Sequence, residues 1–391
     1  MLSYKYLIIG GGMTADACVQ GIREIDSTGS IAIISSEPHP PYSRPPLSKA
    51  LWKEATLDSI WRNTEKHNVK LHPGTTATTI NPQEHTVTDD KKQTYSYEKL
   101  LLATGGKVRK PWSTEGIIYF RTLNDYIALR ELTNTGKTFV VIGGGFIGSE
   151  IAAALAMNGK SVTMIFPEKN ICERVFSRNL ASFVTNYYAQ KGVTIMANST
   201  IASIEKRDTL FRVTTGAGKE LDVDGVIAGI GISPDVELAA YTGLKTDNGI
   251  VVNEFLKTSH TDIYAAGDAA NFYSSALGKR IRVEHEDNAL TMGKIAGCNM
   301  AGKPAPYDHL PSFYSDLFDL GYEAVGELDS RFTTVEDWKE EFREGVVYYL
   351  HENRIRGVLL WNTWSQVDNA RALIAEKGPF TRENVKGLLP K

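Results

Sequence analysis

Apolar residues along this chain fall in short runs, and the most informative runs end in glycine. Residues 5–12 read as a buried strand closing on three glycines, 14–24 as a helix and 30–35 as a second strand rich in isoleucine. That order is a βαβ unit, and it recurs. Residues 138–142 are strand-like, 143–148 form a glycine turn, 151–158 an alanine-rich helix and 161–166 another β-branched run. The two units start at Gly10 and Gly143, 133 residues apart.

Between and after them, 85–88 and 99–103 have strand composition, and 221–230 and 263–266 are apolar runs that again end near glycine. From about residue 313 the pattern changes. Segments 346–350 and 355–361 predict a hairpin turned near Asn353, followed by an amphipathic helix over 366–376. The mixed-sign stretch 336–344 is expected to be a solvated helix or loop.

A length of 391 residues exceeds one ordinary hydrophobic core and implies two or three domains. The formal net charge of -3 offers no broad basic field, so nucleic-acid binding is not expected. Cys18, Cys172 and Cys298 are far apart and in no C-x-x-C pair, which excludes a disulfide framework or dithiol centre read from spacing and fits a reducing compartment. No stretch approaches the ~20 apolar residues of a membrane span, and the first strand follows Met1 so closely that no leader is expected. A cytoplasmic location follows as an expectation. No His/Cys/Asp cluster has metal-ligand spacing.

Both glycine turns carry the chemistry of dinucleotide binding. Gly10-x-Gly12-x-x-Ala15 follows a strand and opens a helix, and Glu37 ends the next strand 22 residues after Ala15. Such glycines permit a tight turn and close approach to a pyrophosphate at the helix N-terminus, while the acid accepts from ribose hydroxyls. Gly143-x-Gly145-x-x-Gly148 is complete, and Glu168 lies 20 residues beyond Gly148. Because the strand ends two residues earlier, at Phe166, Glu168 is either a ribose ligand or a surface loop residue. Phe146 either covers a nicotinamide or packs the helix start.

Ala103-Thr104-Gly105-Gly106, Gly229-Ile230-Gly231-Ile232-Ser233-Pro234-Asp235 and Ile263-Tyr264-Ala265-Ala266-Gly267-Asp268-Ala269 resemble the connecting motifs of the pyridine-nucleotide flavin reductases. With the two glycine turns they span nearly the whole chain in the family's order. Pro41-Tyr42-Ser43-Arg44-Pro45-Pro46-Leu47-Ser48-Lys49 is similar to the flavin-contact loop of ferredoxin reductases of aromatic dioxygenase systems and of apoptosis-inducing factors. Phe166-Pro167-Glu168-Lys169, Arg282-Val283-Glu284-His285 and Phe313-Tyr314-Ser315-Asp316-Leu317 resemble apoptosis-inducing factors in particular.

The resemblance implies an α/β fold with two Rossmann-like domains, for FAD and NADH, and a small α+β C-terminal domain. FAD would occupy 1–115 and 241–311, NADH 116–240, and the C-terminal domain 312–391. It implies that Ala103, Thr104, Gly105, Asp268, Glu284 and His285 contact the flavin half, that Arg44 holds the pyrophosphate side, and that Gly231 and Glu168 belong to the nucleotide site. Lys49 would lie near flavin N5, paired with Glu150. An ammonium there stabilises the electron-rich reduced ring; the alternative is an ordinary salt bridge. His285 is either flavin-side or a satisfied structural histidine.

The implied activity is NADH oxidation through FAD, with electrons passing to a ferredoxin- or rubredoxin-type carrier, a quinone or oxygen. The other reading is a slow NADH-responsive redox sensor that acts through a charge-transfer complex and homodimerisation. Lys107, Arg109, Lys110, Lys279, Arg280 and Arg282 are candidates for a basic carrier-docking face. Relatives have a tryptophan where this chain has Tyr314, and the long C-terminal insertion of the animal proteins is absent.

Overall fold

A computed structural model describes residues 1–390. The chain divides into two compact units.

The first unit comprises residues 1–44, 56–107 and 233–311. Its sheet runs Val69–His72, Ile31–Ile34, Leu2–Ile9, Thr94–Leu102, Thr86–Asp89, Ala77–Asn81, with Ile263–Ala265 added beside Thr94–Leu102. The strands around Leu2–Ile9 are parallel, and Ile9 is level with Ile34 on one side and Leu102 on the other. Ala265 is level with Leu102 in turn. Four strand ends therefore finish together, which is where an open parallel sheet binds ligands. Leu7, Ile8, Ile33, Leu100 and Leu101 are fully buried, as a strand covered on both faces requires.

Helices Met13–Ile25 and Glu286–Met300 pack closely because glycine lines their contact. A Cβ on Gly21 would lie 2.1 Å from the Lys294 carbonyl oxygen, and one on Gly297 would lie 2.1 Å from that of Cys18.

The second unit comprises residues 45–55, 108–232 and 312–391. A parallel sheet runs Thr194–Met196, Ser161–Ile165, Thr138–Ile142, Gly225–Ala228, Ile118–Tyr119. An antiparallel meander of Ile201–Arg207, Leu210–Thr215 and Glu220–Val223 adjoins it. The C-terminal segment forms a five-stranded antiparallel sheet in the order Ser312–Leu317, Leu320–Gly326, Arg354–Trp361, Glu344–His351, Thr333–Glu340. Helix Val367–Ala375 buries Ala370, Leu373 and Ile374.

Three expectations need correction. The apolar run 221–230 is two strands in two different sheets, divided at Asp224, whose carboxylate accepts from the amides of Lys137 and Thr138 at 2.8 Å each. The stretch 336–344 is neither helix nor loop. Most of it is the end of strand Thr333–Glu340, with Val335 and Asp337 turned inward and Asp337 accepting from the Gly387 amide at 2.8 Å. Its charges disguise a period of two. The helix expected over 151–158 spans Phe146–Met157, so it starts at the glycine turn itself. The C-terminal hairpin forms as expected, with Glu352 and Asn353 both at positive φ, 51° and 57°, the geometry of a type I′ turn.

Candidate functional site

In the first unit Gly10 has φ 111°, and a Cβ there would fall 2.0 Å from the Ala103 carbonyl oxygen. Only glycine lets the Leu2–Ile9 strand end so close to the neighbouring strand. Gly12 differs: a Cβ on it would meet nothing within 4 Å. It caps helix Met13–Ile25 in extended conformation, leaving open space against the helix's first-turn amides. Such a cradle fits a pyrophosphate, which accepts from those amides and is favoured by the helix dipole. Ala15, in the third position, is fully buried in the packed helix start.

Glu37 and Arg44 are brought together as an ion pair, and the Tyr42 hydroxyl donates to the other Glu37 oxygen at 2.6 Å. Burial opposes the Arg44 charge, but Tyr42, Glu37 and Asp268 outweigh it and raise its pKa above the ordinary value. Arg44 and Asp268, far apart in sequence, thus feel one another. Arg282 donates to the Asp268 carbonyl at 3.1 Å and to the Glu284 carboxylate at 2.6 Å. His285 stands at the N-cap of helix Glu286–Met300. Thr104 donates to the Asp235 carbonyl at 2.6 Å, which fixes the turn through Gly105, φ 69°.

The second unit repeats the turn. Gly143 has φ 111°, Gly145 again faces open space, and a Cβ on Gly148 would lie 2.0 Å from the Gly143 carbonyl oxygen. Phe146 opens the helix with its ring 5.3 Å from that of Phe313. The Glu168 carboxylate is 2.7 Å from the largely exposed Arg174 guanidinium. Gly231, φ 88°, accepts from the Arg109 amide at 3.2 Å.

The same unit holds a buried charge cluster. The Lys49 ammonium lies 2.8 Å from Glu150 Oε1, with side-chain exposures of 10% and 3%. Ser315 donates to that same oxygen at 2.6 Å and Ser48 to Oε2 at 2.5 Å. The Lys49 ammonium also sits 5.3 Å from the Tyr314 ring centroid, in cation–π range. Three donors on one carboxylate explain how a charged pair survives burial. Cys172 is buried nearby, and desolvation pushes its thiol up to about 12.

Sequence reading paired Lys49 with Glu150 but missed Ser48 and Ser315 as their partners, Tyr42 on Glu37 and Arg174 on Glu168. Ser48 and Tyr42 lie inside the loop motif already singled out. Ser315 also lies inside a quoted motif, but nothing in that motif points to Glu150, because only folding brings the two together. Of the basic residues considered for docking, Arg280 donates to the Val252 and Asn271 carbonyls, and Lys107 pairs with Asp235 and Glu237.

A family model described as pyridine nucleotide-disulphide oxidoreductase matches residues 4–293. The chain belongs to that family. A second model, the C-terminal domain of mitochondrion-associated apoptosis-inducing factor, matches residues 296–339 and 336–376. Apoptosis-inducing factor 1 of Dictyostelium discoideum is 34% identical, over 96% of this chain and 79% of its own length. Monodehydroascorbate reductase 3 of Arabidopsis thaliana is 33% identical, over 96% of this chain and 93% of its own. Among solved structures, the covalent putidaredoxin reductase–putidaredoxin complex aligns with TM-score 0.88 at 30% identity, over 96% of this chain and 94% of that one. This member of the family is an NAD(P)H-dependent flavin oxidoreductase whose cofactors are FAD and NADH. Among the described residues, no helix is long and apolar enough to cross a membrane.

Proposed function

We propose that this flavoprotein oxidises NADH and delivers the electrons, one at a time, to a small external carrier of the ferredoxin or rubredoxin kind. FAD, when bound, would supply the redox chemistry that couples a two-electron donor to a one-electron acceptor. The chain's own residues position, shield and stabilise charge. Gly10, Gly12, Ala15, Glu37, Arg44, Ala103, Thr104, Gly105, Asp268, Glu284 and His285 would hold the flavin nucleotide. Gly143, Gly145, Phe146, Gly148, Glu168 and Gly231 would hold NADH. Lys49 would stand at the flavin edge that receives hydride, and Glu150 would keep its ammonium in place. In this reading residues 1–115 with 241–311 serve FAD, 116–240 NADH, and 312–391 form the C-terminal domain.

This reading rests on the buried Lys49–Glu150 pair. A cation held at 10% exposure by a carboxylate with two further donors is preorganised to stabilise negative charge without reorganising. The acceptor must be met directly. The cysteines are free, and Cys172 is a buried thiol with its pKa near 12, far from the thiolate a disulfide relay needs. The solved relative bound to putidaredoxin supports a protein carrier, while quinone or oxygen remain the alternatives.

A second reading is favoured by the C-terminal match at 296–339 and 336–376. In it the protein is a slow redox sensor, and the long-lived NADH-reduced state changes dimerisation and partner choice. Stopped-flow reduction by NADH, then reoxidation by ferredoxin, rubredoxin, a quinone and oxygen, separates the two. Rapid turnover with an iron-sulfur carrier supports the reductase. An air-stable long-wavelength charge-transfer band with a shift to dimer supports the sensor and overturns the reductase.

A further inference from the structure

Three successive residues of one C-terminal strand reach three parts of the candidate site. Within Ser312–Leu317, Phe313 packs on Phe146, Tyr314 lies over the Lys49 ammonium, and Ser315 donates to Glu150. Of these the Ser315 hydroxyl is the one hydrogen-bonded to the buried charge pair. It is 1% exposed and stands opposite Tyr322 in the antiparallel ladder. Tyr322 is itself fully buried and stacks on Trp361 at an interplanar angle of 8°. The hydroxyl is therefore carried on a rigid sheet, and its direction is set by packing.

Its acceptor is Oε1 of Glu150, the oxygen that also takes Lys49 at 2.8 Å. Ser48 holds the other oxygen. A carboxylate gripped at both oxygens cannot rotate about its terminal torsion, which is otherwise broad and soft. Rotation would swing Oε1 away from the ammonium. We propose that Ser315 is a positioning residue: from the C-terminal sheet it fixes the rotation of the Glu150 carboxylate and thereby the place of the Lys49 ammonium. This rests on the reading that Lys49 acts at the flavin edge, and it makes the C-terminal sheet part of the reductive site.

The test uses the FAD-loaded full chain with Ser315→Ala, Ser48→Ala, Glu150→Gln, Lys49→Met and the Ser315→Ala/Glu150→Gln double variant. Apoprotein melting checks that each folds. Ser315→Ala is expected to slow NADH-dependent flavin reduction about tenfold, the scale of a lost hydrogen bond to a charged group, with little change in the NADH concentration at half-saturation. The flavin midpoint potential should fall in parallel, by about 30 mV for a tenfold change in a two-electron couple. Ser48→Ala, which releases the other oxygen of the same carboxylate, should slow reduction by a similar factor. In the Glu150→Gln background the Ser315 effect should largely vanish, because it acts through that carboxylate.

An equal loss from Ser315→Ala in both backgrounds, or an unchanged potential, overturns the proposal. A normal Ser315→Ala alongside a slow Lys49→Met sinks the positioning role and leaves the Lys49 reading standing. If Lys49→Met itself reduces at the wild-type rate, both fall.

Discussion

Replacing Lys49 by methionine keeps the length and apolar stem of the side chain and removes only the ammonium. Two consequences follow, one for stability and one for chemistry. Glu150, 3% exposed, would lose the cation that compensates it while keeping Ser48 and Ser315 as donors. Breaking a buried pair from one side costs about 3–5 kcal/mol, and the two remaining donors place this case near ~3 kcal/mol. For a folding unit of 150–250 residues that lowers the melting midpoint by roughly 6–12 °C. In the reaction, loss of one preorganised charge-stabilising donor costs about 10²-fold.

The assay is anaerobic stopped-flow of the FAD-loaded variant against NADH, following the oxidised flavin band, with thermal melts of the same preparations. Adding Glu150→Gln to Lys49→Met should recover part of the lost stability, since no unpaired charge remains, but none of the rate. A Lys49→Met variant that binds FAD and reduces at the wild-type rate refutes the assignment of this lysine to the flavin edge. Melting losses that simply add in the double variant refute the electrostatic account of the pair.

The first glycine turn predicts opposite phenotypes for two of its positions. Gly10→Ala clashes with the Ala103 carbonyl at 2.0 Å and should fail to give stable protein, whereas Gly12→Ala meets only open space and should melt normally as apoprotein yet retain little FAD; equal FAD content in purified wild type and Gly12→Ala contradicts this. Glu168→Ala should weaken NADH preference and free Arg174 to meet a 2′-phosphate, raising kcat/KM for NADPH about tenfold, the scale of one charge-assisted contact. Glu168→Ala/Arg174→Ala should not show that gain, and steady-state comparison of the two nucleotides decides it. The amides of Lys137 and Thr138 hold the Asp224 carboxyl below its ordinary pKa. A depressed carboxyl stabilises the fold above its unfolded value near ~3.9, and that contribution is lost as pH falls through the lower folded value. Asp224→Asn should therefore be less stable than wild type at pH 7, with the gap closing below about pH 4; a gap in chemical denaturation that is constant with pH would exclude the mechanism.

Periodicity and punctuation made the two βαβ units legible. Strand residues buried on both faces must be continuously apolar, and glycines must follow where the chain turns beside a neighbouring carbonyl. The C-terminal hairpin was legible for a similar local reason, an asparagine that tolerates a tight turn between two apolar runs. The failures share a cause. Run 221–230 looks continuous, yet its middle residue, Asp224, is taken by the amides of residues 137 and 138, and the chain changes sheets there. Stretch 336–344 looks solvated because its charges hide an inward-facing Asp337, satisfied by an amide 50 residues away.

The sequence by itself determined the two dinucleotide turns, their glycines, the acids that follow them and the family to which they belong, since each depends on spacing within one supersecondary unit. Tertiary structure alone decided which groups share a charge. It set Ser48 and Ser315 on Glu150, separated from it by 102 and 165 residues, and it gave Arg174 to Glu168 and Arg44 to Glu37. A local motif records where the backbone must bend. The partners of a buried charge are chosen by whatever the fold packs against it, and desolvation demands that they be found.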